Sequence, residues 1–138
     1  MTLKSFIGII VTAGREVLVI DYNNKEYLVE DTRLPGGSAL SCEDYEEALW
    51  RKLLEETGLC KRQVTNPQKV YVTKNHKRGF EKIFFHFVLN DNPCFLTLRK
   101  HFTETSSGAE LSPPYFANIT EVMDGMPYHY RRALEGIL

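Results

Sequence analysis

One stretch limits what this chain can fold into more than any other: Leu34-Pro35-Gly36-Gly37, followed by a helical pattern that closes at Gly58. Proline restricts the residue before it, and paired glycines open conformations closed to other residues, so regular structure is expected to stop there. Beyond the break, Tyr45, Ala48, Leu49 and Leu53 recur at helical spacing and predict a core-facing stripe. Ser41 with Asp44 three residues later resembles a capping box, with Asp in place of Glu. Gly58 suits the C-cap.

The flanking segments read mostly as strands. Phe6–Thr12 is apolar and β-branched, Ala13-Gly14 is a turn, and Glu16–Tyr22 is a second strand. Asn23-Asn24 is the expected hairpin tip, with Glu26–Val29 as the returning strand. After Pro67 come strands over Lys69–Thr73 and Phe80–Leu89, joined by the basic tip His76-Lys77-Arg78-Gly79. Glu104–Pro114 reads as a loop, Tyr115-Phe116 as a short strand, and Ile119–Met123 as a helical turn. Pro127 can start a last helix from Tyr128 to Leu138. This order predicts an α/β fold, a mixed sheet with packed helices, and the length of 138 residues suits one domain over 1–138.

Composition narrows the function classes. With 43% hydrophobic and 25% charged residues the chain has the make-up of a globular domain. A net charge of −1 gives no global attraction to nucleic acid or to an anionic membrane. Cys42, Cys60 and Cys94 are an odd set with no Cys-x-x-Cys pair, as expected for reduced thiols. Phe6–Val11 is too short to span a membrane, so the expected compartment is cytoplasmic. No Gly-x-Ser-x-Gly setting or nucleophile–histidine pair points to covalent catalysis.

Chemistry concentrates on the helix. Positions 52, 55 and 56 differ by three and four residues and share one face. Glu55 and Glu56 on that face suit a hard divalent cation such as magnesium, which takes one or two carboxylates and fills its remaining positions with water and phosphate oxygens. Taken alone, such a pair is an ordinary solvated helix end, and the glycines are an ordinary tight turn. The spacing alters that judgement. Gly37, Glu43, Arg51, Leu53, Glu55, Glu56, Gly58 and Leu59 stand where the Nudix box has its fixed or apolar positions. From average residue usage, such a match in a chain of this length has a chance frequency on the order of 10⁻⁵. The stretch therefore resembles the Nudix box, and the strands on either side resemble the rest of a Nudix domain.

The resemblance implies an α/β/α sandwich around a mixed sheet. It implies hydrolysis of a nucleoside diphosphate linked to another group, with Mg2+ or Mn2+ and a homodimer as a further expectation. Carried over residue by residue, it makes Gly37, Glu43, Glu55 and Glu56 the metal set. Arg51, Lys52, Glu55 and Glu56 become the catalytic positions, with Gly36 and Gly37 beside the substrate. Arg33, just before Leu34-Pro35, is a candidate phosphate contact. The family also admits a base from a loop, for which Glu104 and Glu110 are candidates. Tyr22, Tyr27 and Phe6 come from strands that could line a base pocket, whereas Trp50 is expected to pack on the domain. His86 reads as a strand-face residue, and His129, Arg131 and Arg132 as an exposed helix face.

Lys52 departs from the pattern, which has Glu there. An ammonium roughly 5 Å from a divalent cation is repelled by about 6–7 kcal/mol at an effective dielectric near 20, less whatever a long side chain recovers by turning away. Alternatively Lys52 takes the metal's place between the acids, or touches a ligand phosphate itself. Three readings follow: a hydrolase that keeps enough metal, a degenerate domain that binds a nucleotide-like ligand without cleaving it, and a fold used only for protein contact.

Overall fold

The computed structural model describes residues 3–90 and 96–138. Its elements in chain order are β1 (Lys4–Ala13), β2 (Glu16–Asn24), β3 (Val29–Arg33), β4 (Gly36–Ser38), α1 (Tyr45–Thr57), a 3-10 turn (Lys61–Gln63), β5 (Gln68–Asn75), β6 (Phe80–Val88), β7 (Thr103–Glu104), β8 (Glu110–Leu111), β9 (Tyr115–Asn118), α2 (Ile119–Met123) and α3 (Tyr128–Glu135).

β1 is the axis of the sheet. It pairs in parallel with β6 from Lys4↔Phe80 to Thr12↔Val88, while β5 closes that side in antiparallel register. Its other edge is divided. β4 takes Phe6–Gly8, and β2 joins only at Thr12–Ala13. β1 and β2 thus share only the end near their connecting turn, and the strands diverge from it. β2 is divided too, pairing with β9 over Glu16–Val19 and with β3 over Ile20–Asn24. The expected mixed sheet is present.

Alternation along β1 sends its side chains into two layers. Ile7, Ile9 and Val11 pack with Ala48, Leu49 and Leu53 of α1 and with Phe87. Ile10 goes to the other side with Phe84, Ile119, Met126, Tyr130, Ala133 and Leu134. Sheet faces covered by α1 on one side and by α2 and α3 on the other give the α/β/α sandwich. Trp50 packs on Phe87 with ring centroids 5.4 Å apart, as expected for a residue serving the fold.

Several boundaries differ from the sequence reading. The double glycine forms β4 instead of ending regular structure, because Gly36 lies against the backbone of β1. A Cβ at Gly36 would overlap the Ile7 carbonyl oxygen. The hairpin tip lies beyond Asn24, not at Asn23-Asn24. Asn24 is buried at the end of β2 and its Oδ1 accepts from the Tyr27 amide at 3.3 Å, so the turn falls after it and β3 begins at Val29. Asp44, not Ser41, caps α1, its Oδ1 accepting from the Glu47 amide at 2.8 Å. Gly58 closes the helix at φ 85°. The segment read as a loop over 104–114 contains the β7–β8 pairing, and α3 ends at Glu135. His129 is not simply exposed, since its Nδ1 pairs with the Tyr71 hydroxyl at 3.1 Å. Cys42 and Cys60 are free thiols, and Cys94 lies outside the described residues. No described helix is long and apolar enough to cross a membrane.

Candidate functional site

The divergence of β1 from β2 opens a cavity of about 540 Å³. Its wall includes the box residues Gly36, Gly37 and Ser38 on β4, and Lys52 and Glu56 on α1. Phe6, Tyr22, Arg33 and Tyr130 also line it. Glu104 and the turn over Thr105–Ser107 complete the wall. Thr103 is also in the wall, and its buried hydroxyl has no hydrogen-bond partner among the described residues.

Helical spacing gives the box two cations, Arg51 and Lys52, joined through Glu55. Arg51 faces the helix entrance. It gives Nε and Nη2 to the two oxygens of Glu43 at 2.6 and 2.7 Å, and Nη1 to both oxygens of Glu55 at 3.0 Å. Glu43 Oε1 also accepts from the Leu40 amide at 2.8 Å. Those bonds, the Arg51 bond first, hold the Glu43 carboxyl down to about 2. Burial would push Glu55 up, but its hydrogen bond to Arg51 and the charge of Lys52 win, and its pKa is lowered.

Lys52 faces the cavity. Its Nζ stands 3.5 Å from Glu55 Oε2 and 3.6 Å from Glu56 Oε1. Its stem lies over Gly37: a Cβ there would come within 2.6 Å of Nζ and 2.7 Å of Cε. Gly37 therefore leaves the room in which the Lys52 ammonium sits.

The structure brings Gly36, Gly37, Arg33, Lys52, Glu56 and Glu104 to one cavity. Arg51, Glu43 and Glu55 lie beside it and engage one another. Glu110 lines a different hollow, of about 390 Å³, with Asn23, Lys25 and Phe102. Tyr27 is 67% exposed and does not line the cavity, unlike Tyr22 and Phe6. Arg33 stacks on the Tyr22 ring at 3.6 Å and is held by both Asp31 oxygens at 2.6 and 3.1 Å. Sequence reasoning missed Tyr130 and Thr103. Tyr130 stood four residues before Leu134 in the apolar stripe of the last helix, and burial pushes its phenol up to about 12.

A resident divalent cation does not fit this arrangement. Among the described residues no group of three His, Cys, Asp or Glu side chains is placed to hold one. The three carboxylates of the expected set meet two cations, with Arg51 on Glu43 and Glu55, and Lys52 between Glu55 and Glu56. The metal set expected from the resemblance, Gly37 with Glu43, Glu55 and Glu56, is thus not assembled: an ammonium stands against Gly37, and Glu43 is turned to Arg51.

Comparison with known proteins agrees with the fold. The fold resembles the solution structure of the Escherichia coli ORF135 protein at TM-score 0.67 and 18% identity, covering 99% of this chain and 89% of that one. It resembles the Caenorhabditis elegans Ap4A hydrolase at TM-score 0.66 and 18% identity, covering 99% and 96%. A MutT NUDIX hydrolase from Burkholderia pseudomallei gives TM-score 0.62 and 17% identity over 98% of both chains. No functionally curated protein matches the sequence. The NUDIX domain profile matches residues 2–115, most of the chain, and the chain therefore belongs to the NUDIX family.

Proposed function

We propose that this protein is a hydrolase that cleaves a pyrophosphate bond in a nucleoside diphosphate linked to another group. The observation that carries this reading is the shared cavity. Box residues Gly37, Lys52 and Glu56 line one space of about 540 Å³ together with the aromatic residues Phe6, Tyr22 and Tyr130. Pockets for small ligands commonly occupy about 300–1,000 Å³, and here aromatic residues share the wall with many polar and charged ones such as Arg33, Ser38, Lys52, Glu56 and Glu104.

In this reading the phosphates lie over Gly36-Gly37 and the nucleoside runs toward Tyr22. The chemistry asks for an attacking water, a proton acceptor and neutralisation of phosphate charge. Glu56 is the carboxylate of the box that faces the cavity, and it accepts the water's proton. The water oxygen bonds to phosphorus, and the bridging P–O bond breaks toward the leaving phosphate. Glu104, across the cavity, is the second candidate for the base. Lys52 neutralises phosphate charge. Arg51 is a positioning residue, holding Glu43 and Glu55. Because the box acids do not fit a resident cation, Mg2+ or Mn2+ enters this reading as part of the substrate, complexed by its phosphates.

The test is a hydrolysis screen over nucleoside triphosphates, dinucleoside polyphosphates, ADP-ribose and sugar-nucleotides with magnesium and with manganese. Turnover by the wild type is expected, falling at least about 100-fold in Glu56→Gln while the melting temperature is kept. Binding without turnover across the screen would replace this reading with that of a nucleotide-binding module.

A further inference from the structure

We propose that the Lys52 ammonium is a tethered cation that binds the ligand's phosphates directly, so that the site takes a pyrophosphate group without any divalent metal. The proposal rests on the reading of the cavity as a nucleoside-diphosphate site.

Position is the first support. Lys52 lies in the cavity wall beside Gly36, Gly37 and Glu56, with the end of its side chain in the space that a Cβ at Gly37 would fill. The second support is how loosely its head is held. A strong N⁺–H···O⁻ hydrogen bond spans about 2.7–2.9 Å. Lys52 Nζ stands at 3.5 and 3.6 Å from its two carboxylates, whereas Arg51 meets Glu43 at 2.6 Å. By taking Glu43 and much of Glu55, Arg51 lowers the demand of the acids on Lys52. An ammonium carries three donors and no acceptor, so a phosphate oxygen can be met without releasing Glu56.

The third support is the state of the other cation in the wall. Arg33 gives two hydrogen bonds to Asp31 and is covered by Tyr22. Among the described residues of the wall, Lys52 is the cation not already held at strong hydrogen-bond distance. The geometry that excludes a resident metal is the same geometry that supplies a charge in its place. A single positive charge tethered to the fold does part of what a dissociable dication would do, and it does so at any metal concentration.

Calorimetric titration with inorganic pyrophosphate and with ADP, in EDTA and again in magnesium, tests this on the full chain. The wild type and Lys52→Arg are expected to bind in EDTA. Lys52→Met is expected to bind at least tenfold more weakly there. Wild-type binding seen only with magnesium, or Lys52→Met binding as well as the wild type in EDTA, overturns the proposal and leaves the cavity reading standing. No binding of either probe in either condition overturns both. The melting temperature of each variant without ligand reports folding. Should Lys52→Met not fold, Gly37→Ala moves the same ammonium without removing it and is expected to weaken binding in EDTA.

A second readout uses the metal alone. Manganese binding followed by electron paramagnetic resonance is expected to be at least tenfold tighter in Lys52→Glu than in the wild type. A wild type that binds manganese as tightly as Lys52→Glu overturns the proposal.

Discussion

Arg51 and Lys52 are neighbours in sequence and both carry a positive charge, yet they do different things. Arg51 is saturated: its guanidinium meets two carboxylates at 2.6–3.0 Å beside the cavity, not in its wall. Lys52 meets two carboxylates at 3.5 and 3.6 Å and lines the cavity. A planar fork suits fixed bidentate pairing, and a flexible point charge suits a partner that comes and goes. Gly36 and Gly37 differ in a parallel way. The first is demanded by backbone and the second by a side chain. On each element, then, one residue secures the scaffold and its neighbour serves the space beside it.

The largest effect on stability is expected at Gly36. A Cβ there meets the Ile7 carbonyl oxygen and the Gly8 backbone, neither of which can move without disturbing β1. Gly36→Ala should cost about 2–4 kcal/mol, read as a fall in the denaturant midpoint. A midpoint equal to the wild type would show that β4 can shift as a unit, and the distinction between the two glycines would fail.

Next comes Arg51→Met, which leaves Glu43 without the guanidinium that takes both its oxygens. We expect a melting temperature lower by roughly 3–5 °C, against little change in Lys52→Met. The reverse ranking would make Lys52 the structural cation of the pair.

The two pairs also mark how far the sequence alone could lead. Box spacing located the helix, its Gly58 cap and the face shared by positions 52, 55 and 56, because helical period turns sequence distance into direction. The β4 strand was hidden because its pairing with β1 depends on a contact with Ile7, distant in sequence. The Asn24 turn was misplaced because burial of that side chain is a tertiary matter. Glu104 and Glu110 were equal candidates until the structure set them opposite each other across β7 and β8, both beside the smaller hollow and Glu104 alone of the two in the cavity wall. Lys52 was legible as a departure, but its seat over Gly37 needed the meeting of α1 and β4.

Acid should sharpen the contrast further. Glu43 is held down to about 2 from an ordinary 4.5, so the unfolded chain takes up its proton first as pH falls. The stabilisation from this carboxylate is complete above about 4.5, fades as pH drops, and is lost below about 2. Glu55, also lowered, acts in the same direction. Melting temperatures at pH values of about 6 and about 3 should therefore differ less in Arg51→Met than in the wild type. An equal drop in both would mean that other carboxylates carry the acid sensitivity.

The smallest effect on stability, and the most specific one, is expected from Gly37→Ala. Its φ is not in the left-handed region, and the atoms a new Cβ would meet are Nζ and Cε of Lys52, the free end of a flexible side chain. That end can swing aside at little cost, so stability should stay within about 0.5 kcal/mol of the wild type. The ammonium, however, leaves its seat between Glu55 and Glu56. Pyrophosphate binding in EDTA should weaken by roughly threefold or more, under about 1 kcal/mol for the smallest such change. One methyl group thus separates two roles of a single glycine: an unchanged melting temperature with weakened binding places the function of Gly37 in the room it gives Lys52. A large loss of stability would place it in the backbone instead, alongside Gly36.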